Sequence, residues 1–263
     1  MPDYDNILFT NEDGLATITL NQPDKLNALS ADMLNDILSA IREVSKPSNG
    51  VRALLLTGAG RAFCSGADLA VDAFGDENRD LGEGLIHGYH PVLLELSALN
   101  IPVLSIVNGV AAGAGMSIAL SADIVVAAKS AYFLQAFVNI GLVPDAGSTY
   151  ILPRLIGAAR ARALMMLGER LPAEKAQEWG LIFEMVDDDK LAERGTELAL
   201  RLAKGPTKAL GGIRQLVAQS LKNNYAEQLH QESLTQRNAG RSDDCVEGVM
   251  AFLQKRPANF QGK

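Results

Sequence analysis

Short apolar segments alternate with helical patterns along most of this chain. Mostly apolar runs at residues 51–57, 103–107 and 124–127 are typical of strands that are buried on both faces. Apolar residues at helical spacing follow Ser30, a favoured N-cap residue, and recur at residues 85–96. Strands that alternate with helices pair in parallel, because each helix returns the chain to the same end of the sheet. The alternation therefore predicts an α/β fold.

Two other patterns flank this alternating region. Near the N-terminus, Asp13-Gly14 separates two alternating apolar runs, which predicts a β-hairpin. Beyond residue 147 almost every segment has helical spacing. We expect a core at residues 1–204 and a C-terminal helical region at residues 205–263, whose helices need the core or a sister subunit to cover their apolar faces.

The overall composition excludes several classes of function. The 263 residues carry a formal net charge of -7, which disfavours a nucleic-acid partner because phosphates would be repelled. No apolar run approaches the ~20 residues of a membrane span, and no signal peptide is visible at the N-terminus. With only Cys64 and Cys245 present, both are expected as free thiols in the cytoplasm.

One stretch contains the most suggestive chemistry. Residues 108–115 are almost free of side chains, so a ligand can approach the backbone N–H groups closely. Residues 141–147 then hold one carboxylate, Asp145, in an apolar setting bent by glycine and proline. Backbone donors beside a single acid can polarise a carbonyl group and move a proton next to it.

Four ordered motifs resemble those of the crotonase (enoyl-CoA hydratase/isomerase) family. They are Ala-Phe-Cys-Ser-Gly-Ala-Asp-Leu at 62–69, Asn-Gly-Val-Ala-Ala-Gly-Ala-Gly at 108–115, Ser-Ala-Asp-Ile at 121–124 and Gly-Leu-Val-Pro-Asp-Ala-Gly at 141–147. The resemblance extends over nearly the whole chain. It implies a spiral of ββα turns, C-terminal helices that form a homotrimer or a dimer of trimers, and an acyl-CoA thioester as substrate, with no metal and no further cofactor.

The resemblance also implies a set of site residues. The thioester oxygen would lie between the backbone N–H groups of Ala67 and Ala114, each worth about 3 kcal/mol to the developing enolate. Asp145 would be the catalytic acid and base. The other matching positions, implied to bind the substrate, are Lys25, Leu26, Ala28, Ser65, Gly66, Asp68, Leu69, Gly113, Gly115, Ser117, Phe137 and Lys255.

A departure from the hydratase pattern indicates the reaction type. Hydratases of this family hold water between two glutamates, and the matching positions here are Ser117 and Phe137. Asp145 stands where those hydratases usually have glycine. An acid at this place is typical of the ring-epoxide isomerases of phenylacetate breakdown and of 4-chlorobenzoyl-CoA dehalogenases. The dehalogenases also have a tryptophan eight residues earlier, where this chain has Phe137, so the resemblance favours the isomerases.

The implied mechanism is a proton shift through a thioester enolate. Asp145 would take the α-proton and return it elsewhere on the conjugated system, converting a 1,2-epoxyphenylacetyl-CoA to an oxepin-CoA or a 3-enoyl-CoA to a 2-enoyl-CoA. We expect burial against Phe137, Ile140 and Val143 to raise the Asp145 pKa, because apolar surroundings disfavour the charged form.

Several alternatives remain open from the sequence. Asp145 could simply cap the helix that follows Gly147, and the chain could be a chain-enoyl isomerase, a hydratase-like enzyme, a dehalogenase or a non-catalytic CoA-binding protein. His87 and His90 have metal-ligand spacing without a visible third ligand, and His90 could instead reach the acyl pocket. Residues 72–84 are polar and glycine-rich, which is typical of a mobile segment.

Overall fold

The strands form two sheets in a computed structural model that describes residues 3–69 and 80–263. The larger sheet has six strands in the order β1-β2-β3-β5-β7-β10, and the smaller has four in the order β4-β6-β8-β9. The strands are β1 (Ile7–Glu12), β2 (Leu15–Leu20), β3 (Ala53–Gly58), β4 (Ala62–Cys64), β5 (Val103–Val107), β6 (Val110–Ala112), β7 (Ile124–Ala128), β8 (Tyr132–Leu134), β9 (Arg170–Pro172) and β10 (Glu184–Val186).

Ten α-helices are found among the described residues. They are α1 (Ala31–Val44), α2 (Leu81–Gly84), α3 (His90–Ala98), α4 (Ala114–Leu120), α5 (Ser148–Leu167), α6 (Ala173–Glu178), α7 (Leu191–Ala203), α8 (Thr207–Ser220), α9 (Tyr225–Ala239) and α10 (Asp243–Leu253). A π-helical turn, Leu85–Tyr89, joins α2 to α3, and a 3-10 turn, Ala136–Ile140, precedes α5.

The two sheets grow together through a repeated strand–strand–helix unit. β3, β5 and β7 enter the larger sheet in parallel, and the short strand after each of them, β4, β6 and β8, enters the smaller sheet in parallel. A helix then returns the chain to start the next turn. This arrangement confirms the α/β fold class and the ββα spiral that the resemblance implies.

The core lies between the larger sheet and the helices that cover it. All five residues of β5 are buried, as the mostly apolar run predicts. The Ser30 hydroxyl accepts the Met33 N–H at 3.1 Å and so caps α1, whose apolar face packs into the core. All seven residues of α4 are buried, so this helix is fixed on every side. Each large side chain in such a core contributes about 1.5–3 kcal/mol.

Several local expectations are confirmed, and others need correction. The hairpin turns at Asp13-Gly14, where both residues have positive φ, as a two-residue turn requires. The smaller sheet was missed, because β4, β6, β8 and β9 have only three residues each. α5 is one helix broken at Gly157, whose φ of 76° and ψ of 157° are not helical. Residues 72–79 of the segment predicted to be mobile lie outside the described residues.

The C-terminal helices are joined to the core by polar contacts. The Arg214 guanidinium donates to both Asp123 carboxylate oxygens at 2.8 and 2.9 Å and to the Leu99 carbonyl at 2.6 Å. Arg52, just before β3, donates to the Gly205 carbonyl at 2.6 Å and to the Phe260 carbonyl at 3.1 Å. These bonds link the first sheet, the start of the helical region and the C-terminal tail. Among the described residues, no helix is both long and apolar enough to cross a membrane.

Candidate active site

One cavity collects most of the residues that the sequence singled out. It has a volume of about 300 Å³ and lies where the carboxyl ends of β4 and β6 meet the α2–α3 segment and the 3-10 turn. Its walls are largely apolar. The lining residues are Ser65, Gly66, Ala67, Asp68, Leu69, Asp80, Leu81, Gly84, Leu85, Tyr89, Gly113, Ala114, Ala136, Phe137, Ile140, Leu142 and Asp145.

The first backbone donor follows β4. Gly66 has a φ of 100°, a conformation open to glycine, and its N–H donates to the Cys64 sulfur at 3.4 Å. The next residue, Ala67, pairs with Leu29 through an isolated parallel bridge, in which its flanking residues make the hydrogen bonds. No acceptor for the Ala67 N–H is found among the described residues. That N–H is therefore available at the cavity wall.

The second backbone donor follows β6 in the same manner. Gly113 has a φ of 52° and donates its N–H to the Leu134 carbonyl at 2.8 Å. Ala114 is the first residue of α4, and an N–H at this position has no partner within its own helix. A Cβ on Gly66 would lie 3.7 Å from the Gly113 Cα and 3.0 Å from the Ala112 carbonyl oxygen. The two glycine turns are thus in contact, and both N–H groups border one cavity.

The Asp145 side chain lines this cavity, and none of the described residues donates a hydrogen bond to its buried oxygen. Its Oδ1 atom is buried and receives no hydrogen bond within the described part of the chain. The N-cap of α5 is Gly147, and no side chain caps this helix. The capping role considered for Asp145 is therefore contradicted. Burial raises the Asp145 pKa to about 6, and the charge of His90 opposes that shift.

The apolar surroundings of Asp145 differ in part from those expected. Phe137, Ile140 and Leu142 line the same cavity and disfavour the charged carboxylate. Val143, which we expected to help, is 80% exposed and lies outside the cavity lining. The neighbouring residue, Leu142, takes the inward place instead. His90 is exposed and does not line the cavity, although its charge reaches Asp145.

Three of the expected binding residues support the loop at the rim of the cavity. The Lys25 ammonium pairs with the Asp68 carboxylate at 3.2 Å. The Leu26 carbonyl accepts the Ser65 N–H at 3.0 Å. Ala28 is buried beneath them. None of the three lines the cavity, so their visible contribution is to hold residues 65–68 in place.

Three other expected residues lie elsewhere. A Cβ on Gly115 would meet the Cys64 sulfur at 2.5 Å, so this glycine allows α4 to pack against β4. The buried Ser117 hydroxyl is 2.7 Å from the Ser148 hydroxyl and joins α4 to α5. Lys255 is exposed beyond the end of α10 and outside the cavity lining.

The possible metal site at His87 and His90 gains no support. The His87 Nε2 atom lies 2.9 Å from a Glu83 carboxylate oxygen, and both side chains are exposed. The described residues contain no group of three potential metal-ligating side chains.

Tyr89 and Asp80, which were not predicted from the sequence, add polar groups to the cavity. Tyr89 is the last residue of the π-helical turn and packs partly against the core. Asp80 caps α2 by accepting the Gly82 N–H at 2.8 Å. A phenol one residue before His90, in a helix expected beside the acyl pocket, was the available signal for Tyr89.

Known proteins resemble this chain in both sequence and architecture. The model of the Enoyl-CoA hydratase/isomerase family matches residues 10–263. A 1,2-epoxyphenylacetyl-CoA isomerase from Escherichia coli strain K12 is 46% identical over 260 residues, covering 98% of each chain. A relative from Rhodobacter capsulatus, named "Probable enoyl-CoA hydratase", is 43% identical over 99% of each chain.

A solved structure from Mycobacterium abscessus, described as an enoyl-CoA hydratase/isomerase, extends the likeness to the fold. It matches with a TM-score of 0.94 at 37% identity, covering 98% of this chain and 100% of that one. A family-model match over almost the whole sequence, together with these relatives, shows that the chain belongs to the enoyl-CoA hydratase/isomerase, or crotonase, family.

Proposed function

We propose that this chain is an acyl-CoA isomerase that moves a proton through a thioester enolate, with a ring-1,2-epoxyphenylacetyl-CoA as substrate and an oxepin-CoA as product. The observation that carries the proposal is the placement of the Asp145 carboxylate, whose Oδ1 atom has no partner among the described residues, in an apolar cavity bordered by the N–H groups of Ala67 and Ala114. The name of the Escherichia coli relative supports the choice of substrate.

The reaction follows from the positions of these groups. The N–H groups of Ala67 and Ala114 bind the thioester oxygen and stabilise the negative charge that develops there. Asp145, as a carboxylate, removes the α-proton and gives the enolate. The same proton then returns to a ring carbon while the epoxide opens to the seven-membered ring. Substrate and product are isomers, so the step consumes no water, and neither a metal nor a redox cofactor takes part in the reaction that we propose.

The hydratase reaction is less well supported by this site. The Ser117 hydroxyl is buried, bonded to Ser148 and outside the cavity lining, so it cannot activate a water for attack on the acyl group. Phe137 lines the cavity but has no ionisable group. Neither position supplies the carboxylate that holds water in the hydratases this family resembles.

A chain isomerase that converts 3-enoyl-CoA to 2-enoyl-CoA is the second candidate. It would use the same three groups, since the proton moves from the α-carbon in both reactions. The presence of two aromatic side chains, Tyr89 and Phe137, in the lining favours a flat ring over a flexible chain.

The test is solvent-deuterium exchange into the α-position of phenylacetyl-CoA and of a 3-enoyl-CoA, followed by NMR. We expect exchange with the wild type and a loss of about 10²-fold to 10⁴-fold in Asp145→Asn. Asp80→Asn is the matched control, because it changes another carboxylate of the same cavity and asparagine can still cap α2.

The two thioesters separate the two candidates. Faster exchange into phenylacetyl-CoA supports the aryl substrate, and faster exchange into the 3-enoyl-CoA supports the chain isomerase. Undiminished exchange in Asp145→Asn would contradict the proposed mechanism. So would a wild type that binds both thioesters without exchange.

A further inference from the structure

Tyr89 occupies a position that an ordinary helix would not give it. The π-helical turn Leu85–Tyr89 contains a wider ring of hydrogen bonds than an α-helix, which changes the direction of the side chains that follow. The turn packs closely on α1, since a Cβ on Gly88 would lie 3.2 Å from a Leu34 methyl group. Tyr89 thereby lines the same cavity as Asp145. Single π-turns inside helices occur often at functional sites.

The Tyr89 hydroxyl makes no hydrogen bond to the part of the protein that the structure describes. The Tyr89 side chain is partly buried, and its hydroxyl is not among the buried polar atoms that lack a partner, which agrees with its place in the cavity lining. Within the ranges 3–69 and 80–263, no hydrogen bond joins the Tyr89 hydroxyl to another side chain or to the backbone, and Asp145 Oδ1 is likewise unpartnered. The phenol therefore does not hold the catalytic carboxylate in place. It is available to a ligand.

The protonation state of Tyr89 restricts what it can do. Burial raises the pKa of the phenol well above its usual value, and the nearby Asp145, Cys64 and Asp68 raise it further. The hydroxyl consequently keeps its proton throughout the pH range of an ordinary assay. It can donate a hydrogen bond, but it acts neither as a base nor as a ready source of protons.

A count of the donors in the cavity indicates what Tyr89 binds. The backbone N–H groups of Ala67 and Ala114 are needed for the thioester oxygen. The Ser65 hydroxyl already donates to the Lys25 carbonyl at 3.4 Å. Among the described lining residues, Tyr89 therefore offers the remaining hydroxyl donor, in a region whose other walls are mostly apolar.

We propose that the Tyr89 hydroxyl donates a hydrogen bond to an oxygen on the aryl ring of the acyl group, so that the site selects oxygenated arylacetyl-CoA substrates. This inference rests on the proposed function and names the group that recognises its substrate. Tyr89 keeps its proton throughout, while the α-proton passes to Asp145 and then to the ring carbon. Both carbon–oxygen bonds of the ring oxygen stay intact as the epoxide carbon–carbon bond opens.

A binding cycle tests the hydrogen bond without any turnover. The ligands are 2-methoxyphenylacetyl-CoA and 2-ethylphenylacetyl-CoA, which differ by an ether oxygen in place of a methylene group. Isothermal titration calorimetry gives the ratio of their Kd values for wild type and for Tyr89→Phe. We expect the preference for the methoxy ligand to be about fivefold larger in the wild type. Equal ratios in the two proteins would overturn the proposal.

A second measurement separates recognition of the ring oxygen from an effect on Asp145. Phenylacetyl-CoA has no ring oxygen, so its α-deuterium exchange should stay within about twofold of wild type in Tyr89→Phe. A large loss of exchange would show that Tyr89 acts through Asp145 and would overturn the proposal. Absence of exchange in the wild type would instead refute the proposed function, while the binding cycle would still report on Tyr89.

A matched control addresses the fold. Tyr132→Phe removes a hydroxyl from β8 that does not line the cavity. We expect this variant to give the wild-type ratio of Kd values and the wild-type exchange rate. Loss of the methoxy preference in Tyr132→Phe would show that the effect is not specific to the cavity, which would overturn the assignment to Tyr89.

Discussion

The environment of Asp145 suits proton transfer and does not stabilise the fold. Its Oδ1 atom is buried without a partner in the described structure, and burial raises its pKa to about 6. A buried group without its hydrogen bond costs about 1–3 kcal/mol, so structural roles rarely account for it. A carboxyl group whose pKa lies near the working pH can both accept and return a proton, as an isomerase requires.

The raised pKa predicts how activity depends on pH. Because the carboxylate is the active form, kcat/KM for α-proton exchange should fall about tenfold per pH unit below the Asp145 pKa of about 6 and level off above it. Since the charge of His90 lowers that pKa, His90→Gln should move the midpoint to higher pH. A profile that stays flat down to about pH 4.5 would contradict this assignment.

Protonation of Asp145, which lowers the activity, raises the stability of the folded state. The pKa of Asp145 is higher in the folded state than in the unfolded chain, so the folded state binds the proton more tightly and stability decreases as pH rises from about 4 to 6. Asp145→Asn should remove this decrease. Thermal melts of both proteins across that range provide the control, because a general loss of structure would lower stability at every pH.

At the scale of secondary structure, the site depends on the smaller sheet. β4 and β6 are parallel neighbours, and each is followed within two residues by a glycine with positive φ, whose next residue supplies a backbone N–H. Carboxyl ends of parallel strands lie at one edge of a sheet, so the two donors come together there. Because Ala114 lies at the start of α4, its N–H has no hydrogen-bonding partner within that helix and is free to bind a ligand.

Some of these elements could be predicted from the sequence and others could not, for physical reasons. β5 is a mostly apolar run and was recognised by that pattern. β4 and β6 have only three residues, too few to show any periodicity, so the glycines were assigned from the family resemblance. Tyr89 was not predicted because the π-turn interrupts the α-helical repeat, and the direction of the Tyr89 side chain could not be inferred from that repeat.

The turn after β4 gives a prediction for the oxyanion-binding backbone. Gly66→Ala would place a methyl group 3.0 Å from the Ala112 carbonyl oxygen at a φ that strains any L side chain, so the Ala67 N–H should shift. We expect kcat for deuterium exchange to fall about 10²-fold, as when one oxyanion donor is lost. The measurement is a comparison of kcat and of thioester binding.

Gly84→Ala is the matched control for this substitution. Gly84 also lines the cavity, but it lies in α2 at helical φ and ψ, and a Cβ there would meet nothing within 4 Å. Its activity should stay close to wild type. Similar losses in both variants would show that bulk in the cavity, rather than the position of the Ala67 N–H, limits the rate.

At the scale of the whole molecule, the C-terminal tail closes back on the core. The buried Asp244 carboxylate accepts the Gln261 N–H at 2.6 Å and the Gly262 N–H at 2.8 Å. Arg52 binds the Phe260 carbonyl from the opposite side. The tail does not cover the outer faces of α8 and α10, which stay exposed in the described part of the chain.

Those outer faces are unusually apolar for a surface. The exposed large apolar side chains of α8 and α10 are Ile213, Val217, Val246, Val249, Met250, Phe252 and Leu253. Phe252 is 82% exposed and Leu253 68% exposed. Exposed large apolar side chains in this number mark an interface between proteins more often than a free surface. The homotrimer or dimer of trimers implied by the family resemblance would cover it.

Assembly is therefore the prediction for the whole molecule. Sedimentation equilibrium should give a mass three or six times the 28.0 kDa of the chain. Phe252→Glu should dissociate the oligomer, because a charge buried in a subunit interface costs several kcal/mol. Leu94→Glu on α3 is the control, since Leu94 is similarly exposed but lies outside the C-terminal helices. A wild type that stays monomeric at micromolar concentration would contradict the prediction, and equal dissociation by both substitutions would show that the effect is not specific to the C-terminal helices.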